Sequence, residues 1–134
     1  MGRMSPLHSP ASGMVTEQSL PPVSRNGAST NTANGASVSL SGKRGAFFQL
    51  NVGALTGAAN YLAYLQTGDN LADAANANWT NVNTTTYSNA GVTVKTNANT
   101  VWEMDFDANQ GNQIRMVLVT DANAAVIGAT HVIY

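Results

Sequence analysis

The chain contains no cysteine. Disulfides and thiolate metal sites are thereby excluded, and stability has to come from packing, hydrogen bonds and partners. Charge is scarce as well. Six Lys or Arg and seven Asp or Glu make up 10% of 134 residues, with a net charge of −1. An average soluble domain carries roughly 25% charged residues. So weak a field excludes electrostatic steering onto nucleic acid or anionic lipid, and low repulsion favours association between copies. No apolar run approaches the ~20 residues of a membrane-spanning helix. Pro6, His8, Pro10 and Ser12 interrupt the stretch after Arg3, where a secretory signal would be apolar. The expected setting is a cytoplasm, or a particle assembled there that leaves.

What is present divides near residue 36. Residues 1–35 are rich in Ser, Pro, Asn, Gly and Thr and hold all four prolines of the chain, Pro6, Pro10, Pro21 and Pro22. Each proline removes a backbone donor and pushes its predecessor to extended geometry. Such a segment buries too little apolar surface to offset its ordering entropy. The reading is an extended or disordered N-terminal arm, residues 1–35, ahead of a β domain, residues 36–134. Isolated anchors, Leu7, Met14, Leu20 and Val23, punctuate the arm.

From residue 36 onward, short alternating runs are separated by Asn, Gly and Asp turns. Ala46, Phe48, Leu50 and Val52 fall on one side of a strand, with Phe47, Gln49 and Asn51 on the other. Asn60 to Thr67 reads as a strand with two semi-apolar faces, a short helix being the alternative. Trp79 starts a short strand with its ring inward. Val92 to Thr96 alternates, Asn97-Ala98-Asn99 reads as a tight hairpin, and Thr100 to Phe106 turns Trp102, Met104 and Phe106 inward. Gln113 to Thr120 is almost continuously apolar, which predicts a central strand. The spacing of about eight short strands predicts a single antiparallel β-sandwich, jelly-roll-like, with no helix of useful length.

No constellation points to catalysis or metal. His8 and His131 stand apart, and no ligand set flanks either. Asp105, Asp107, Asn109 and Asn112 lack EF-hand spacing and a closing Glu. Glu103 and Asp105, two apart on a strand, read as a solvated face rather than a glycosidase pair. No Gly-x-Ser-x-Gly elbow or phosphate loop occurs. No cofactor, no metal and no enzymatic activity are expected.

Residues 44–70 carry a resemblance. Gly45 to Gly53, Thr56-Gly57, Leu65-Gln66, Gly68-Asp69, Trp79-Thr80 and the late run Ile114-Arg115-Met116-Val117-Leu118 resemble a class of small β-sandwich structural proteins of tailed bacteriophages. The Ala-rich loop of residues 70–78 is longer than that pattern. The resemblance implies a capsid decoration, or cement, protein on the outer capsid surface of a virion. It would bridge major capsid protein subunits and self-associate as a homodimer or homotrimer. Arg3, Leu7, Met14, Leu20, Val23 and Arg25 of the arm, with Lys43 and Arg44 beside it, become the expected capsid or subunit contacts. The competing expectation is a tail- or fibre-associated sandwich that binds host surface glycan.

Overall fold

The computed structural model describes residues 15–25, 31–57, 59–69, 77–82, 91–106, 113–121, 123 and 125–134. Among them every regular element is a strand. These are β1 (Val15–Arg25), β2 (Asn31–Asn34), β3 (Val38–Ser39), β4 (Ala46–Leu55), β5 (Tyr61–Gly68), β6 (Trp79–Asn81), β7 (Gly91–Lys95), β8 (Thr100–Phe106), β9 (Gln113–Thr120) and β10 (Ala125–Ile133). The first sheet runs β1-β10-β4-β8. The second runs β2-β9-β5-β6, with β3 also on β9 and β7 also on β5. All pairings are antiparallel. The fold is all-β, two packed antiparallel sheets, as the spacing predicts.

β2 and β3 pair with successive parts of the same edge of β9, and β6 and β7 do likewise on β5. Ten strands therefore fill eight positions, four per sheet. The positions pair in a nested series: first with last, second with seventh, third with sixth, fourth with fifth. The chain is one long doubled ribbon, rolled so that its successive nested pairs alternate between the two sheets.

Alternation along each strand builds the core, because successive side chains point to opposite faces. Ala46, Phe48, Leu50 and Val52 of β4 meet Tyr61, Ala63 and Leu65 of β5, Met104 and Phe106 of β8, Ile114, Met116 and Leu118 of β9, and Ile127, Ala129 and Ile133 of β10 in one buried cluster. β9 is central in its sheet, between β5 and the β2/β3 edge. At one end Gly45 is pressed so close to Phe106 that a Cβ there would lie 2.4 Å from its carbonyl oxygen.

Three expectations are corrected. The domain does not begin at residue 36. β1 pairs with β10 from Val15↔Ile133 to Arg25↔Ala125, and β2 pairs with β9. An edge strand needs partners on one side only, so Pro21 and Pro22 are tolerated there. They fall at the second of two register shifts in β1, and Pro22 packs on Gly128, where a Cβ would come within 2.8 Å of it. Second, residues 97–99 do not form a hairpin. β7 belongs to the second sheet and β8 to the first, so the turn crosses the sandwich, with Asn99 at φ 50°. Third, Trp79 points outward, as described next.

Candidate functional site

The outer face of the second sheet follows from the β5–β9 register, which sets Leu62 opposite Val119, Tyr64 opposite Val117 and Gln66 opposite Arg115. These alternate with core residues, so they project away from the core, although Val117 is covered there at 1% exposed. β6 adds Trp79 and Asn81, because Gln66 pairs with Asn81 and Gly68 with Trp79. A polar chain crosses the strands here. Gln66 Nε2 donates to Asn81 Oδ1 (2.9 Å), and Arg115 Nε donates to Gln66 Oε1 (3.0 Å). The Arg115 guanidinium lies 4.0 Å from the centre of the Trp79 ring. Such stacking holds the cation flat and reduces the entropy it would lose in a contact. The ring also rests on Gly68, where a Cβ would come within 3.1 Å of it.

The same face continues into an open groove of about 240 Å³ lined by Leu62, Val94, Val119, Asn60 and Asp121. Val94 is 61% exposed. The one acid here is already engaged. Asp121 accepts from Asn123 N (2.9 Å) and from Asn60 N and Nδ2 (2.8 and 2.9 Å). The Asn123 backbone bond leads in holding its carboxyl below the ordinary carboxylate range, aided by Asn60. It fixes a turn. Beside the groove, Trp102 Nε1 donates to Tyr61 Oη (2.8 Å), which donates to the Asn97 carbonyl (2.8 Å), and Lys95 Nζ caps the Trp102 ring at 4.8 Å.

The outer face of the first sheet carries a second open groove, about 300 Å³, between Pro22, Asn51, Asn99, Val101 and Val126. Val101 and Val126 are 50% and 37% exposed. Glu103 and Asp105 face solvent on the edge strand β8, as the alternation predicts.

The expected contact residues separate in the structure. Leu20 is 3% exposed and belongs to the core, so as a capsid contact it is corrected: the side chain has no surface to offer. Val23, 47% exposed, remains available. Arg25 staples the Pro21-Pro22 bulge, donating from Nε to the Ile127 carbonyl (3.1 Å) and from Nη2 to the Pro21 carbonyl (2.8 Å). Lys43 is half-buried and Arg44 exposed, close to the last strand, where Arg44 N donates to the Tyr134 carbonyl (2.6 Å). Arg3, Leu7 and Met14 lie outside the described residues, as do Asp107, Asn109 and Asn112.

One cluster has no counterpart in the sequence reading. His131 is 1% exposed, with Ser19 Oγ hydrogen-bonded to Nδ1, Glu17 Oε2 4.0 Å from Nε2 and the Phe48 ring 5.3 Å away. Ser, His and Glu are the components of a hydrolytic triad, but here no hydrogen bond joins Glu17 to His131. The nucleophile would be Ser19, which is 4% exposed. A nucleophile has to reach its substrate. No set of three His, Asp or Glu side chains among the described residues gathers as a metal site.

Comparison with known protein families, characterised proteins and solved structures finds no match.

Proposed function

We propose that this chain is a non-enzymatic structural protein of a tailed-bacteriophage virion. It attaches to the outer capsid surface as a decoration protein and bridges major capsid protein subunits. The supporting observation is the character of the two outer sheet faces. Both are broad and sparsely charged, with Glu103 and Asp105 on the first and Arg115 and Asp121 on the second, and Val94, Val101 and Val126 are exposed above shallow grooves. Such faces bind by contact area rather than by steering. The nested strand order supports a jelly roll, an architecture common among viral shell proteins and lectins. Many modest contacts repeated over a lattice sum to high avidity, and binding only the assembled shell stabilises that shell by mass action. Self-association as a homodimer or homotrimer belongs to the same reading.

The contacts proposed are the two outer faces, with Val23 and Arg44 and with Arg3, Leu7 and Met14 upstream of β1. The rival reading, a tail or fibre module for host glycan, draws on the aromatic and amide groups around Trp79. Its weakness is that Arg115 already occupies the ring face a sugar would stack on.

The test is co-sedimentation with purified capsids, comparing the full chain with Val101→Glu/Val126→Glu and with Leu62→Glu/Val94→Glu. Loss of occupancy in at least one pair, with the fold intact by circular dichroism, is expected. Unchanged occupancy in both, or selective binding on a glycan array with none to capsids, overturns the reading.

A further inference from the structure

We propose that β1 is an acid-released latch, closed over the sandwich by the hydrogen bond between Ser19 and the buried His131. The inference holds whichever partner the outer faces bind.

The latch is built by a β-bulge. Gln18 pairs with Thr130 and Leu20 with Ala129, so Ser19 is the extra residue. A bulge turns two neighbouring residues toward one side, and Ser19 and Leu20 are both buried, at 4% and 3%. The Ser19 hydroxyl thereby reaches His131 Nδ1, and its carbonyl accepts from Ala36 N (2.9 Å) across the sandwich. Because the Glu17 carboxylate faces Nε2, the ring proton is assigned to Nε2 and Ser19 is taken as the donor to Nδ1. Nε2 is buried and has no hydrogen-bond partner. Glu17 pairs directly with His131 across the ladder, but its carboxylate stands 4.0 Å off and is half exposed.

The surroundings favour the neutral ring. β4 brings Phe48, and the facing core side chains are apolar. From β1 come Ser19 and Glu17, and among the described residues Glu17 is the one charge acting on the ring. Desolvation outweighs it and holds the His131 pKa below its ordinary value. Protonation also reverses the Ser19 bond, because Nδ1 then has a proton to donate. A lifted β1 opens the pocket to water, where the ring titrates normally near ~6.5. The contribution is therefore complete above about pH 6.5 and declines as pH falls below it toward the depressed folded value. β1 is the place where the fold gives way. It is an edge strand with two register shifts and two residues lacking an N–H donor, so its ladder with β10 is interrupted between Gln18 and Val23.

The experiment is amide hydrogen exchange on the full chain carrying His8→Gln, which leaves His131 as the sole histidine, corrected for the intrinsic pH dependence of exchange. Between pH 7.5 and 5.5 the opening equilibrium of β1 and of the β10 amides facing it should rise by up to about tenfold, from an open-state value near 6.5. The β4 amides should change less. His131→Leu should abolish the rise. Should that variant not fold, an NMR titration of the His131 ring in the parent chain decides, with a folded midpoint below 6.5 expected. A flat opening equilibrium, a rise shared equally by β4, a rise that persists in His131→Leu, or a folded midpoint at or above 6.5 overturns the latch.

Discussion

Truncating Leu20 to alanine distinguishes a strand of the fold from a surface arm. Leu20 is 3% exposed and joins the common core with Leu40, Met116 and Ala129. Removing a buried leucine side chain loses its transfer free energy and leaves a cavity, which together cost about 2–5 kcal/mol. β1 is an edge strand and its backbone relaxes more readily than a central one, so the lower half of that range, roughly 2–3.5 kcal/mol, applies. Total stabilities of domains lie around 5–15 kcal/mol. At about 3–5 °C per kcal/mol for a chain of this size, the midpoint should fall by roughly 6–18 °C. Val23, on the same strand but 47% exposed, supplies the control, since surface truncations stay within about 0.5 kcal/mol. The assay is urea and thermal unfolding of full-length variants, with the urea slope confirming that the unfolding unit is unchanged. If Leu20→Ala and Val23→Ala shift the midpoint equally, β1 is not part of the folded body and the placement of its core residue is wrong.

Two further outcomes follow from the packing. Gly45→Ala places a methyl 2.4 Å from the Phe106 carbonyl oxygen and should lower stability by about 1–3 kcal/mol, read in the same urea melts. Trp102→Phe removes the donor to Tyr61 Oη while keeping most of the ring. It should cost about 1 kcal/mol and leave the Tyr61 hydroxyl titrating differently by ultraviolet absorbance, since that indole bond opposes the desolvation that raises its pKa.

The strands legible in the sequence are those buried on one face. Ala46 to Val52 alternates cleanly because β4 has core below and solvent above. Glu103 and Asp105 between Trp102, Met104 and Phe106 mark β8 for the same reason. Gln113 to Thr120 reads as central because β9 is flanked on both edges. β1 was hidden because its contribution to the core is almost entirely Leu20 and Ser19, brought together by a bulge that breaks the period of two. Its prolines read as a tail, although an edge position accepts them. Trp79 carries no local sign of its direction, which is set by Gly68 and by Arg115 on another strand. The Ser19–His131–Glu17 cluster was invisible for a related reason. It exists only once β1 has met β10, and nothing local to His131 announces that partner.

That meeting of β1 and β10 has a consequence for biosynthesis. Val15 emerges from the ribosome early and has no place to go until Ile133 exists. Most intervening connections hop between sheets, so neighbours in the chain rarely complete one another. Contacts this distant make folding slow. A nascent copy therefore carries unpaired strand edges until β10 has been made, at a time when sister copies on the same message are near.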